Sequence, residues 1–230
     1  MRREILANDQ LYHVYNRGVD KRRIFLDDKD RFRFIHDLFE FNDSNMVPNI
    51  FYHLNRTLEV AIERKPRNIL VEIIAFCLMP NHYHLLLKQR QEKGISLFLQ
   101  KLGAGYSRYF NERHQRSGVL FQGTFRAIHI ASDEYLSHLT RYIHLNPLDL
   151  KFPDWKNRGI ENRTAVSLFL NQYRWSSYPD YIGKKNFPSV TSREFVIGYF
   201  NESQKEYEEF VLEWTKKDFS TVESIALEKD

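Results

Sequence analysis

Cysteine is nearly absent from this chain: among 230 residues there is one, Cys77. An internal disulfide is therefore excluded, and a reducing compartment is expected. Cys77 sits in the apolar stretch Ile73 to Leu78 and reads as a small buried hydrophobe rather than a reactive thiol. Long apolar runs are also missing. None reaches the roughly 20 residues of a membrane-spanning helix, and Met1 to Asp9 lacks the apolar centre of a signal peptide, so a cytoplasmic protein is expected. There is no glycine-rich loop of the kind that cradles nucleotide phosphates, no internal repeat and no low-complexity tract.

What is present is ordinary in bulk and uneven in distribution. Hydrophobic residues make up 42% and charged residues 28%, as in a soluble globular chain long enough for one sizeable domain with elaborations. The net charge is +4 and the pI about 9.0. Residues 1–150 carry 22 Lys and Arg against 17 Asp and Glu, whereas residues 200–230 carry 4 against 9. A basic body with an acidic tail suits a polyanionic ligand, and it equally suits a solvated surface with a solubilising helix.

Periodicity gives the elements. Leu11 to Arg17 alternates and stops at Gly18, a first strand. Residues 28–45 place Phe32, Ile35, Leu38 and Phe39 at helical spacing, with Asp27 or Asp28 as the cap. Residues 50–64, bracketed by Pro48 and Pro66, read as a further amphipathic helix. Residues 69–78 predict a buried strand, 79–81 a turn and 82–89 the returning strand of a hairpin. Residues 94–114 predict a helix weakened by Gly103 and Gly105, 125–130 a strand, and Ser132 caps a helix that Pro147 ends near Asn146. The expected fold class is α+β: a ferredoxin-like βαββαβ antiparallel sheet with helices on one face, plus an additional helix and a C-terminal extension. Residues 1–150 form the expected catalytic domain. Residues 151–230 form a mostly helical extension with an acidic tail and Trp155, Trp175 and Trp214 as packing anchors.

Two segments carry chemistry. In Met79-Pro80-Asn81-His82-Tyr83-His84 the histidines alternate along a strand, so His82 and His84 share a face and make a natural pair of metal ligands. In the helix from Asp133, residues His138, Tyr142 and Asn146 recur four apart and share a stripe. If that helix packs beside the hairpin, Asn146 offers a third ligand oxygen and Tyr142 a phenol, with coordination positions left for substrate oxygens. A phenol is a poor nucleophile at its free pKa near 10, and it becomes useful against a phosphodiester when a cation neutralises the developing charge. Tyr106 competes for the nucleophile's place. It lies on a different helix and has no amide four residues on, so Tyr142 is preferred and Tyr106 is assigned to packing or to stacking on DNA.

With Gly118 to Arg126, Tyr142-Ile143-His144-Leu145-Asn146-Pro147, Tyr12 to Gly18 and Trp175-Ser176-Ser177-Tyr178, these motifs make residues 10–182 resemble the single-tyrosine HUH transposases. They are most similar to the REP-associated tyrosine transposases of bacteria. The resemblance implies single-stranded, hairpin-forming DNA as partner, Mg²⁺ or Mn²⁺ on His82 and His84, Tyr142 as nucleophile, Asn146 as amide ligand, and a nick leaving a 5′-phosphotyrosine in DNA transposition. It leaves open whether the protein is a homodimer or a monomer. The interleaved aromatic and basic residues of 106–126, among them Tyr106, Arg108, Arg113 and Arg126, and the cluster Arg17, Lys21, Arg22 and Arg23 are the expected DNA contacts. His13 and His138 could support the metal ligands from behind, but the preferred reading of each is a satisfied core histidine. The competing functions are a domesticated hairpin-binding protein without turnover and a metal-dependent phosphodiesterase in which water attacks.

Overall fold

The structure, a computed structural model, describes residues 6–45 and 66–216. Four strands form one sheet: β1 (Leu11–Arg17), β2 (Val71–Met79), β3 (His82–Gln89) and β4 (Arg126–Ile130). Their order is β2-β3-β1-β4 and every neighbouring pair is antiparallel. Helices α1 (Asp28–Glu40) and α2 (Gly94–Arg113) fall between the strands as the βαββαβ pattern requires. After β4 come the helix α3 (Asp133–Leu145) and an extension. The extension holds α4 (Trp155–Arg158), α5 (Arg163–Gln172), α6 (Tyr178–Tyr181), α7 (Glu194–Ile197) and α8 (Gln204–Glu213). Among the described residues no helix is long and apolar enough to cross a membrane.

Strand alternation divides the hydrophobic residues between two cores. Tyr12 and Val14 of β1 and Tyr83, Leu85 and Leu87 of β3 face α1 and α2. Ala75 and Cys77 of β2 and Leu86 of β3 face α3 and the extension. A bulge between Ile73 and Ala75 shifts the β2 register by one residue, so neighbouring Ile74 and Ala75 enter the same core. The helices expected on one face are α1 and α2; the additional helix and the extension cover the other. Trp155 and Trp175 are buried and Trp214 packs at the margin of the second core.

Most element boundaries follow local chemistry. Asp27 caps α1 by accepting from the Asp30 amide, and Ser132 caps α3 by accepting from the Tyr135 amide. α1 stops at Glu40, five residues short of the expected end. The cause lies at Asn42. Its buried amide oxygen accepts from the Leu70 and Val71 amides and its nitrogen donates to the Val71 carbonyl, which pulls the chain out of the helix and onto β2. Gly103 and Gly105 do not break α2. A Cβ at Gly105 would lie 2.5 Å from the Phe41 ring, so the glycine allows α2 to approach the end of α1. Pro147 does not push Asn146 out of helical geometry, contrary to expectation. Asn146 has φ −47° and ψ −40°, and the chain tightens there into a 3₁₀ turn over Asn146–Leu150, where proline is tolerated near the start. The helix expected at 50–64 lies outside the described residues.

Candidate active site at the paired histidines

β3 places His82 and His84 on the second face, two residues apart, with ring centroids 5.0 Å apart and planes at 89°. The register sets their neighbours. His84 stands opposite Cys77 of β2 and Tyr15 of β1, and Tyr15 stands opposite Arg126 of β4. One rung therefore runs Cys77, His84, Tyr15, Arg126 across the sheet, and paired residues share a face. The next rung toward the hairpin turn runs Met79, His82, Arg17.

Each imidazole is held through its Nδ1. The His82 Nδ1 lies 2.7 Å from the Asn81 amide oxygen, which can only accept, so this nitrogen carries the ring proton. The His82 Nε2 is then the lone-pair atom; it is buried and makes no hydrogen bond among the described residues. The His84 Nδ1 lies 3.0 Å from the His13 Nε2, and the two rings stack at 5.2 Å and 18°. Burial pushes all three side chains toward the neutral form. It lowers His82 to about 4, with Lys156 and Arg17 adding to the effect and Asp149 opposing it. It lowers His13 to about 3, and it holds His84 well below the usual histidine range, with His82 and His13 adding to the effect. Neutral imidazoles with Nδ1 occupied suit metal ligation through Nε2. Among the described residues no group of three or more His, Cys, Asp or Glu is placed to hold a metal ion, so a cation here would depend on the histidine pair and on oxygens of other kinds.

α3 packs against the same face. The Tyr142 ring lies 5.6 Å from His84 at 86° and 6.3 Å from His13 at 78°, edge-on to both. Asn146 is buried one turn further, where its amide nitrogen donates to the Tyr142 carbonyl at 3.0 Å, leaving the amide oxygen as the ligand atom on offer. His144 points away from the site. It is fully buried, bridging the Tyr207 hydroxyl at 2.6 Å and the Ser177 hydroxyl at 2.8 Å. Arg141 lies over the Phe210 and Trp214 rings. These contacts fasten α3 to the extension of its own chain. His138, expected in the core, is half-buried and stacks on Trp214 at 5.4 Å.

The basic and aromatic residues singled out by sequence separate into two groups. Arg17, beside His82, bonds through its Nε to the Gln122 side chain at 2.5 Å, and Arg126 is exposed at the β4 edge of the histidine face. Arg22 is exposed in the loop after β1. The rest lie elsewhere. Tyr106 is 0% exposed in the first core, and its hydroxyl donates to the Ile24 carbonyl at 2.6 Å. It has no ring face open to a base, so its assignment as a DNA contact is corrected to core packing. Arg113 is engaged by Asp27 and Asp30, and Arg108 pairs with Glu112 at 2.8 Å, both on the α2 side of the sheet, remote from the histidine face.

Sequence reasoning named His13 but preferred a core role for it, and it missed the pair's other neighbours. His13 and Tyr15 alternate on β1 as His82 and His84 do on β3, and that shared spacing was the available signal; only the register shows that they meet. Asp149 and Lys156, paired at 2.8 Å, lie within electrostatic reach of His82 and have no sequence signature.

A family model described as "Transposase IS200 like" matches residues 45–146, a span that includes His82, His84, Tyr142 and Asn146. No curated protein matches the chain. Among solved structures, a REP-associated tyrosine transposase bound to a REP hairpin is 12% identical, with a TM-score of 0.49 over 84% of this chain and 90% of that one. A Deinococcus radiodurans R1 protein, provisionally assigned as a transposase, is 14% identical with a TM-score of 0.36 over 62% and 95%. The tRNA(His) guanylyltransferase of Saccharomyces cerevisiae is 10% identical, also at 0.36, over 95% and 83%. At these identities and TM-scores the three likenesses bear on neither activity nor substrate.

Proposed function

We propose that this protein is a tyrosine transposase that nicks and rejoins single-stranded, hairpin-forming DNA through Tyr142. The observation that carries the reading is the approach of the Tyr142 ring to within 5.6 Å of His84 in one chain. The family match over residues 45–146 and the motif resemblance support the reaction class.

His82 and His84 would hold a divalent ion through Nε2, with the Asn146 oxygen beside them; the buried, unbonded Nε2 of His82 fits that role. A bound Mg²⁺ or Mn²⁺ supplies charge neutralisation at the scissile phosphate. The Tyr142 hydroxyl attacks phosphorus, its proton passing to solvent. A bond from the phenolic oxygen to phosphorus forms, the bond to the 3′ oxygen breaks, and that oxygen leaves as a hydroxyl after taking up a proton. A second 3′-hydroxyl reverses the step and frees the phenol. The phosphodiester energy is kept in the phosphotyrosine, so no nucleotide is consumed. His13 acts as a positioning residue: by accepting from the His84 Nδ1–H it fixes the tautomer that puts the lone pair on Nε2 for ligation. Arg17 and Arg126 flank the face and grip the phosphate backbone.

The test is a denaturing gel of the full chain with end-labelled hairpin oligonucleotides and Mn²⁺. A covalent protein–DNA species is expected, and it is lost in Tyr142→Phe. Tight binding with no adduct would instead make the protein a hairpin binder without turnover. Cleavage that survives Tyr142→Phe would make water the nucleophile.

A further inference from the structure

A second cationic surface lies at the opposite edge of the sheet, outside the histidine face. The segment after α5 covers the edge strand β2: the Leu78 amide donates to the Trp175 carbonyl at 2.8 Å and the Ser177 amide to the Phe76 carbonyl at 3.0 Å. This sets Arg174 and Trp175 beside Phe32 on the first turns of α1. The Phe32 ring lies 5.1 Å from Trp175 and 6.1 Å from Phe187. The Arg174 guanidinium lies over all three rings, 4.7 Å from Phe32 and 5.4 Å from each of the others.

Arg174 is exposed, and its side chain makes no hydrogen bond or ion pair among the described residues. The rings engage its charge and leave its N–H donors without a hydrogen-bond acceptor among the described residues. Asn186 fastens the neighbouring turn by donating to the Arg174 carbonyl at 2.8 Å. That turn adds Lys184 and Lys185, both exposed and likewise without an ion pair among the described residues. The carboxylates close by are occupied. Asp180 turns inward to accept from the Asn186 and Phe187 amides, and Asp28 is paired with Arg31. Phe32 remains 41% exposed at the centre of this cationic ground.

We propose that this ledge is a second nucleic-acid site, binding a single-stranded stretch of the same DNA. Bases stack on Phe32 beside the Arg174 guanidinium, while the two lysines meet phosphates. The proposal rests on the DNA reading above and extends it. Trp175 stands beside Leu78, which is paired with Tyr83, so the ledge backbone lies two strand spacings, about 10 Å, from β3. A strand leaving the histidine face around the hairpin end of the sheet meets it.

Fluorescence anisotropy of the full chain tests this, with a blunt DNA hairpin and the same hairpin carrying a single-stranded oligo-dT tail. Wild type is expected to prefer the tailed hairpin by roughly tenfold, the effect of stacking about one base. Arg174→Glu, and separately the pair Lys184→Glu with Lys185→Glu, are expected to bring that ratio to about one at unchanged melting temperature. A ratio that survives in natively folded variants overturns the ledge, as does a wild type that binds and forms the adduct but shows no preference for the tail. A wild type that binds neither DNA removes the underlying function and the ledge together.

Discussion

The two faces of the sheet are built from the same strands to different ends. Toward α1 and α2, β1 and β3 present Tyr12, Val14, Tyr83, Leu85 and Leu87, all packed and buried. Toward α3 they present His13, Tyr15, His82 and His84, where the His84 Nδ1 meets the His13 Nε2 and the His82 Nδ1 meets the Asn81 amide oxygen. Alternation lets seven or eight residues serve both purposes without compromise. The difference teaches that chemistry-bearing residues here occupy odd or even places of a strand whose other places already secure the fold.

That contrast can be broken by substitution. The largest effect is expected at Tyr142→Phe, which should lower covalent adduct formation by at least about a thousandfold while hairpin affinity changes little; an adduct in the variant would remove α3 from the chemistry. Next, His13→Phe should weaken Mn²⁺ binding by about 10- to 100-fold, whereas His13→Gln, which keeps an acceptor for the His84 Nδ1–H, should recover most of it. Electron paramagnetic titration of the DNA-free protein reads this, and equal loss in both variants would make His13 a packing residue only.

Acid should act on the second core first. Burial lowers His144 to about 3 and His13 to about 3. The unfolded chain therefore takes up protons as pH falls through about 6.5 while the folded chain does not, so stability is full above that pH and declines down to about 3. At pH 5 each of these histidines should cost roughly 2 kcal/mol, seen as a lower urea midpoint than at pH 7.5. On the first face, Tyr106→Phe leaves the Ile24 carbonyl without its donor and should cost about 1–3 kcal/mol with no change in DNA affinity; a DNA defect at native stability would restore Tyr106 as a contact. Smallest is the pair Arg17→Ala and Arg108→Ala. The first should reduce the salt dependence of DNA binding by about one phosphate contact, and the second should leave it unchanged.

The order of elements along the chain was legible in the sequence because periodicity separates strands from helices and reports which side a residue faces. His82 and His84 were legible for the same reason. The helix stop at Glu40 was not, because it depends on Asn42 reaching Leu70 and Val71, nearly thirty residues on. Tyr106 was misplaced because an aromatic helix residue flanked by arginines looks the same whether it stacks on a base or on Phe34. His13 was undervalued because alternation fixes a face but not a partner. The β1–β3 register, a property of the whole sheet, is what brings it to His84.

The bridge from His144 to Tyr207 and Ser177 has a mechanical corollary. If the proposed strand transfer required the phenol to travel, it would meet a helix bolted through one imidazole to two separate segments of the extension. Any such stroke must carry those segments along as one lever, or else break both bolts and leave a fully sequestered ring without partners.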